Sequence, residues 1–168
     1  MFKVILLTLF SIKAFCGVEA NITDKLVDKI IIKKSVRMLY LSANGKIFKG
    51  YHISLGRVPE GAKVKEGDMK TPEGVYVIDW RQFSKKYNKS LHISYPNKRD
   101  KERAKKLKVR PGGMIMIHGT PPHWSLSPIG DWLPMLIDWT EGCIALSNED
   151  INELWEIVPD GVPVYIIP

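Results

Sequence analysis

The two residues of this chain best suited to covalent chemistry are Cys143 and His118. The other cysteine, Cys16, lies in an N-terminal stretch that predicts a removable export signal, so Cys143 is the cysteine left in the mature chain. Gly142 precedes it, and a glycine beside a nucleophile leaves room for an acyl group and frees N–H groups to face an oxyanion. A thiol is weakly ionised at neutral pH, so a catalytic cysteine needs a base, and His118 at the end of a predicted strand is the candidate.

The same residues also fit a plainer interpretation, in which Cys143 is a buried structural cysteine, and sequence spacing leaves both open. The remaining histidines are weaker candidates. His52 and His92 fall in predicted strands and suit structural roles, whereas His123 lies in a loop. We find no His, Asp and Glu cluster with metal-ligand spacing, so we expect no metal and no diffusible cofactor.

The elements that would position these side chains are mostly strands. Two β-like runs, 36–41 and 46–55, flank Asn44-Gly45, a strong hairpin signal. Further strands are predicted at 75–80, 91–95, 114–117 and 162–167, and helices at 100–107 and 148–157, the second capped by Ser147. The lysines of the first helix are expected to form a hydrated face. We therefore expect one compact, mainly β domain with one or two helices packed on it.

A stretch rich in proline and tryptophan, 121–139, predicts a long covering loop. Trp124, Trp132 and Trp139 could wall a groove for a peptide or a sugar chain, or could pack against one another. Trp155, on the second predicted helix, is expected in the core.

The first twenty residues have the features of a signal peptide: Lys3, an apolar run at 4–12, and Val18-Glu19-Ala20 as a cleavage site. The run is shorter than the about 20 apolar residues that span a bilayer, so we expect no stable membrane span after removal of the signal. The alternatives are an apolar N-terminus without a signal function, an uncleaved anchor, and a lipoprotein signal at Cys16, which the preceding Lys13-Ala14-Phe15 matches poorly. Residues 21–35 are predicted to be a polar N-terminal lead-in, with a turn or short helix around 24–31.

The chain is basic, with a formal net charge of +7. Such a charge suits anionic surroundings, for example cell-wall polymers or lipid headgroups, and nucleic acid is the other usual partner. An export signal argues against nucleic acid. We also find no zinc-finger spacing, RNP aromatic pattern or Lys/Arg block of the kind that nucleic-acid modules show.

Two segments together resemble a known catalytic signature. Ile117-His118-Gly119-Thr120, followed by Thr140-Glu141-Gly142-Cys143-Ile144, closely resembles the signature of the L,D-transpeptidase (YkuD-domain) family. Three further stretches, GDMKTPEG at 67–74, ISYPN at 93–97 and DWT at 138–140, resemble its YafK-type branch. The likeness runs from about residue 36 to the end of the chain. It implies that 36–168 is an L,D-transpeptidase-like catalytic domain with a β-sandwich or barrel fold.

The resemblance also implies a function in the periplasm or cell envelope, on the peptide stems of peptidoglycan. The Cys143 thiolate would attack a stem at an L-to-D linkage and form a thioester, as D-alanine leaves. His118 would take the thiol proton, and backbone N–H groups around Gly142 and Cys143 would face the oxyanion. The acyl group would then pass to an amine, which makes a cross-link or attaches a wall-linked protein, or to water.

One departure from the family's pattern concerns a missing cation. Ala145 stands where many members have an arginine, a usual partner of a substrate carboxylate. Arg57 or Lys70 could replace it, or could remain solvated. The residues that flank the predicted catalytic pair are further candidates for orienting it or for binding substrate: Gly119, Thr120 and Thr140.

The second departure is Glu141, which stands where many members have a histidine. In an extended segment Glu141 and Cys143 share one face, and an unpaired carboxylate there would disfavour the thiolate. We therefore expect Glu141 either to turn toward His118 and orient its ring or to point into solvent.

Three functions remain open from the sequence. The first is an acyltransferase of peptidoglycan stems. The second uses the same cysteine for hydrolysis, as an L,D-carboxypeptidase or as an amidase that releases a stem-linked protein. The third is a cell-wall-binding protein that keeps the fold without activity.

Overall fold

The computed structural model describes residues 26–126 and 133–168 of the chain, so the predicted signal peptide, the first part of the lead-in and Trp132 lie outside the described residues. Eight strands form one sheet: β1 (Lys29–Lys33), β2 (Met38–Ala43), β3 (Lys46–His52), β4 (Gly74–Ser84), β5 (Asn88–Ile93), β6 (Met116–His118), β7 (Ile144–Ala145) and β8 (Pro163–Ile167). Two α-helices, α1 (Lys98–Lys106) and α2 (Asn148–Ile157), accompany three 3₁₀ turns at Lys34–Val36, Pro122–Leu126 and Leu133–Leu136. The prediction of a mainly β domain with a few helices is confirmed.

Local sequence signals explain several of these elements. Asn44 and Gly45 have φ angles of 53° and 72°, the left-handed conformations that a tight hairpin turn requires between β2 and β3. The Ser147 hydroxyl accepts a hydrogen bond from the Asp150 N–H, so the predicted cap of α2 is confirmed. Helix α1 begins two residues before its predicted start because Asn97 forms a capping box with Asp100.

The predicted lead-in is wrong for residues 29–33, which form a strand inside the sheet. β1 pairs antiparallel with β2 and parallel with β8, and Ile30 and Ile32 are fully buried. Lys34, which follows, is only 3% exposed because its ammonium donates to the Gly61 and Thr71 carbonyls and to the Glu73 carboxylate. The folded domain therefore begins before residue 36.

The sheet has two parts that share the long strand β4. The strand order is β3-β2-β1-β8-β4-β5-β6-β7. The first residues of β4 pair with β8 and the later ones with β5, with a register shift between Ile78 and Trp80. A shift of this kind bends a strand and increases its twist, so β4 turns the sheet.

The two outer strands of this order, β3 and β7, are connected through the chain that follows β3. Ser54 forms an antiparallel bridge with Ala145, and Gly56 forms a parallel bridge with Thr140. Residues 53–57 and 140–145 are called the seam below. The seam draws the sheet toward a closed, barrel-like form, and it contains Cys143.

The core lies inside this curved sheet and beneath α2. It consists of alternate residues of the strands and the inner face of that helix, including Leu39, Leu41, Ile78, Leu91, Ile117, Ile144, Ile151 and Leu154, all fully buried. Trp155 is partly buried against this core. Neither helix of the described residues is long and apolar enough to cross a bilayer.

Candidate active site

The segment that leads to Cys143 is fixed to the chain following β3 by backbone and carboxylate contacts. The Thr140 N–H donates to the Leu55 carbonyl at 3.1 Å, and the Thr140 carbonyl accepts from the Arg57 N–H at 3.0 Å. The Asp138 carboxylate accepts from the Leu55 N–H at 2.9 Å and from the Arg37 guanidinium, with Nη2 to Oδ2 at 2.7 Å. These contacts set the position from which the cysteine loop starts.

The loop itself is closed by the Thr140 side chain. Its hydroxyl donates to the Cys143 carbonyl at 2.7 Å and accepts from the Gly142 N–H at 3.1 Å. Gly142 has a φ of +130°, and a Cβ there would lie 2.6 Å from the Lys70 carbonyl oxygen, so only glycine fits without displacement. Because the Gly142 N–H already donates to Thr140 Oγ1, the Cys143 N–H remains as the candidate donor to an oxyanion.

Strands β6 and β7 bring the histidine and the cysteine to one side of the sheet. They pair in parallel, with Ile117 opposite Ile144 and His118 opposite Ala145. Because side chains alternate along a strand, Cys143, one residue before β7, faces the same side as His118. Both side chains line one pocket of about 320 Å³.

The buried imidazole of His118 is held by a backbone carbonyl. Its Nδ1 lies 2.7 Å from the Gly119 oxygen, and since a carbonyl only accepts, Nδ1 carries the proton and Nε2 keeps its lone pair. Burial lowers the pKa of His118 to about 4, with a smaller lowering from the Lys86 ammonium. The ring is therefore a neutral base at neutral pH.

The thiol of Cys143 is also neutral at rest. Burial raises its pKa, and this effect outweighs the hydrogen bond from the Met116 N–H, at 3.5 Å from Sγ. The Lys63 ammonium lowers the thiol pKa and the Glu141 carboxylate raises it. A nucleophilic attack by this thiol would therefore require transfer of its proton to a base.

Two pockets meet at Cys143. The His118 pocket is lined by Arg57, Lys86, Tyr87, His118, Trp139 and Cys143, with Thr140 and Glu141 at its edge. The Lys63 pocket, about 250 Å³, is lined by Lys63, Glu66, Gly112, Gly113, Met114 and Cys143, with Gly67, Ile115 and Glu141. Cys143 and Glu141 thus border both, and a molecule in either pocket can reach the thiol.

Glu141 points into solvent, which is one of the two predicted alternatives. Its side chain is 76% exposed and lies 3.8 Å from Arg57. The orienting alternative is not supported because the Gly119 carbonyl already takes Nδ1 of His118. The predicted charge conflict with Cys143 is present, since the carboxylate raises the thiol pKa.

The cations predicted to replace the missing arginine have separate positions. Arg57 lines the His118 pocket and donates to the Trp139 carbonyl at 3.3 Å. Lys70 does not line either pocket at Cys143. Its ammonium points toward Gly61, and only its carbonyl reaches the site, where it packs on Gly142.

Three other predicted residues act through packing. Ala145 is fully buried in the seam, where its N–H donates to the Ser54 carbonyl at 2.9 Å. Thr120 is fully buried and so has no surface for a ligand. Gly119 lies beside α2, where a Cβ would overlap the Asn148 side chain.

Aromatic rings form one wall of the His118 pocket. The Tyr87 ring lies 4.4 Å from the His118 ring, centre to centre, and the Trp139 ring lies 5.7 Å away. Trp124 packs on Trp139 at 5.0 Å and does not line the pocket. Trp139 therefore lines the pocket and also packs on another tryptophan, as the two alternatives allowed. The sequence analysis missed Tyr87 and Lys86, in the turn between β4 and β5, and Lys63, in the loop between β3 and β4.

The remaining histidines have the expected structural roles or none near the thiol. His92 Nδ1 lies 2.6 Å from the Asp79 carboxylate, and its ring stacks on Trp80 at 4.6 Å. His52 is exposed at the end of β3, and His123 is exposed in a 3₁₀ turn. Across the described parts of the chain, no group of three His, Cys, Asp or Glu side chains is placed to hold a metal ion.

Comparisons with known proteins agree with this geometry. The family model of the L,D-transpeptidase catalytic domain, YkuD, matches residues 28–166. The protein YafK of Escherichia coli (strain K12) is 29% identical over 100 residues, which cover 58% of this chain and 32% of YafK. The chain thus spans about a third of that curated relative.

Solved structures give the same fold. The helical cell shape determining protein Pgp2 from Campylobacter jejuni has a TM-score of 0.60 at 26% identity, over 86% of this chain and 52% of Pgp2. An L,D-transpeptidase from Mycobacterium smegmatis has a TM-score of 0.54 at 14% identity, over 86% of this chain and 59% of that protein, which supports the fold alone.

Proposed function

Because the chain belongs to the L,D-transpeptidase catalytic domain family, we propose that it is a cysteine acyltransferase of peptidoglycan peptide stems. The observation that carries this proposal is the shared pocket of Cys143 and His118, with Nε2 of the histidine left as a proton acceptor. We place its action in the periplasm or cell envelope, after removal of residues 1–20.

In the first half of the reaction, Sγ of Cys143 attacks the stem carbonyl carbon at an L-to-D linkage while Nε2 of His118 takes the thiol proton. The carbonyl oxygen becomes an oxyanion, which the Cys143 N–H stabilises. When the tetrahedral intermediate collapses, the C–N bond breaks and the leaving D-alanine amine takes the proton from His118. A thioester on Cys143 remains.

In the second half, an acceptor amine attacks the thioester carbon. His118 again takes a proton, the C–S bond breaks, and the thiolate recovers that proton as a thiol. The Lys63 pocket opens on the other side of the same thiol, so an acceptor can approach from there while the stem stays in the His118 pocket. The acceptor amine belongs to a second stem or to a wall-linked protein.

Substrate carboxylates are bound by the cations of the His118 pocket. Arg57 takes over from the arginine that Ala145 replaces, and Lys86 stands beside it in the same lining. Both are exposed, so they attract carboxylates to the mouth of the pocket rather than bury them. Tyr87 and Trp139 pack on the apolar part of the stem.

The test is mass spectrometry of purified peptidoglycan fragments after incubation with the protein, beside Cys143→Ala. We expect new cross-linked or exchanged stems that are absent with the variant. Shortened stems, or a released stem-linked peptide without cross-links, would show that water and not an amine attacks the thioester. Identical fragments with both proteins would contradict the enzyme proposal and leave a wall-binding protein.

A further inference from the structure

Helix α1 and the turn after it carry nearly all of the net charge of the chain. Residues 98–110 contain eight cationic and two acidic residues, a net charge of +6, against +7 for the full sequence. All eight cations are exposed: Lys98, Arg99, Lys101, Arg103, Lys105, Lys106, Lys108 and Arg110. These eight residues are called the basic patch below. The rest of the molecule is close to neutral.

In the folded protein one of the two anionic side chains of this segment is buried, whereas the cationic ones are exposed. Asp100 is only 7% exposed, because its carboxylate caps α1 and accepts from the Tyr76 hydroxyl at 3.0 Å. Glu102 is left as the exposed anion of the helix. Among the described residues, the one ion pair of the basic patch joins Arg110 to Glu66, at 3.4 Å. The other seven cations have no carboxylate of the described residues within ion-pair distance.

Three of the six cations of α1 lie where they disfavour the helix. Cations in the last turn interact favourably with the helix dipole, but Lys98, Arg99 and Lys101 lie in the first turn, where the dipole disfavours them. Lys101 and Lys105 are a like-charge pair four residues apart, which also costs stability. The hydrated lysine face that the sequence predicts thus has a large excess of one sign, and such an excess favours binding to an anionic partner.

The C-terminal end of the basic patch borders the Lys63 pocket, because Arg110 pairs with Glu66 of its lining. The Arg110 carbonyl accepts from the Glu66 N–H at 2.8 Å, and the Tyr95 hydroxyl donates to the Pro111 carbonyl at 3.0 Å. Gly112, Gly113 and Met114, which come next, line the Lys63 pocket together with Cys143. A polymer lying along α1 would therefore reach the mouth of that pocket.

We propose that the basic patch is an exosite that binds carboxylate-rich stem peptides of the peptidoglycan, apart from the stem that reacts. The identity of this polymer rests on the proposed function, whereas the need for a polyanion rests on the charge alone. A bilayer surface fits less well, because interfacial helices carry a broad apolar face and the exposed side chains of α1 are all charged.

The experiment measures binding to purified sacculi by co-sedimentation, with the Cys143→Ala protein so that turnover does not change the polymer. The test variant adds Lys101→Gln, Lys105→Gln and Lys106→Gln, since glutamine keeps the helix propensity. The control adds Lys29→Gln, Lys33→Gln and Lys46→Gln, on β1 and β3, and has the same net charge.

We expect the test variant to bind sacculi about tenfold more weakly at low salt, from three exposed charge contacts, and to show a smaller salt dependence than the parent. The control should bind like the parent. Equal weakening of both variants, or of neither, would overturn the exosite. Binding to phosphatidylglycerol vesicles but not to sacculi would overturn it in favour of a lipid surface.

Activity distinguishes this proposal from the proposed function. With Cys143 intact, the three α1 substitutions should leave kcat/KM on soluble stem fragments unchanged and raise KM on intact sacculi. If the wild type modifies no fragment while patch-dependent binding to sacculi persists, the enzyme proposal fails and the exosite stands. If activity on sacculi is insensitive to the substitutions, the exosite fails and the enzyme proposal stands.

Discussion

The two pockets that meet at Cys143 are lined by different kinds of residues. The His118 pocket has a buried imidazole with an aromatic wall, and its cations are exposed at the mouth. The Lys63 pocket has a glycine-rich rim and a buried ion pair, in which the Lys63 ammonium lies 2.9 Å from the Asp68 carboxylate. The His118 pocket therefore holds the candidate base, while the Lys63 pocket holds a cation that lowers the thiol pKa.

In the proposed mechanism the two pockets have different tasks: one accepts the thiol proton and the other stabilises the thiolate. A base with a pKa of about 4 is always ready to accept a proton near neutral pH, but it holds that proton weakly. The proposed thiolate then needs stabilisation from elsewhere, and the Lys63 ammonium lowers the thiol pKa. Four substitutions test whether the two sides differ as described.

The largest effect is expected from removal of the base. His118→Asn should slow acylation of Cys143 by a carbapenem about 1,000-fold, because proton transfer to a positioned group contributes about 10²–10⁴. The adduct is followed by intact-protein mass spectrometry. His92→Asn is the matched control, a second buried histidine that pairs with Asp79 away from the thiol. Acylation of the His118 variant at the wild-type rate would remove the histidine from the mechanism.

The next effect concerns the backbone between the two pockets. In Gly142→Ala the new methyl group would press on the Lys70 carbonyl, 2.6 Å away, at a φ of +130°. We expect kcat/KM on stem fragments to fall about 100-fold, because displacement of the loop moves Sγ.

The control for this variant is Gly161→Ala. Gly161 also has a positive φ, +87°, but a Cβ there meets nothing within 4 Å. It should cost about 1 kcal/mol of stability with activity intact. Equal activity of the two variants would show that the approach of Lys70 is unimportant.

A smaller effect is expected from the Lys63 pocket. Lys63→Met should raise the pKa of the Cys143 thiol. The pH profile of alkylation by iodoacetamide should therefore shift to higher pH, and alkylation at pH 7 should be about threefold slower than in the wild type. A double variant with Asp68→Asn removes the carboxylate that Lys63→Met leaves unpaired, and the shift of the Cys143 thiol pKa should persist in it. Lys65→Met, an exposed neighbour, is the control. An unchanged pH profile in both Lys63 variants would contradict a role for this charge.

The smallest effect is expected at the rim that both pockets share. Glu141→Gln removes a carboxylate that raises the thiol pKa, so the pKa should fall and alkylation at pH 7 should speed up by about twofold or less. Turnover of stem fragments should change little, since Glu141 is 76% exposed and does not contact His118. A drop of tenfold or more in turnover would restore the orienting role.

Sequence reasoning succeeded where local signals decide the outcome. The hairpin at Asn44 and Gly45 and the cap of α2 at Ser147 depend on residues within a few positions of each other. The pairing of His118 with Cys143 was inferred from residue chemistry and from the family resemblance, and the two do share a pocket.

The failures are residues whose environment comes from distant parts of the chain. The sequence predicts a polar lead-in where β1 forms, and one of the two partners of β1, β8, lies at the other end of the sequence. Lys34 is buried against three hydrogen-bond acceptors that lie 27 to 39 residues further along the sequence. Tyr87 reaches His118 because the β4–β5 hairpin and its bulge place it there, which no local pattern encodes.

The proposed thioester between Cys143 and the stem can be detected directly by intact-protein mass spectrometry. The wild-type protein is mixed with soluble tetrapeptide stem fragments, quenched in acid within the first turnover, and weighed intact. We predict an added mass equal to the fragment less D-alanine, located on Cys143 and absent in Cys143→Ala. Release of D-alanine at the wild-type rate by Cys143→Ala, with no adduct on either protein, would contradict the claim.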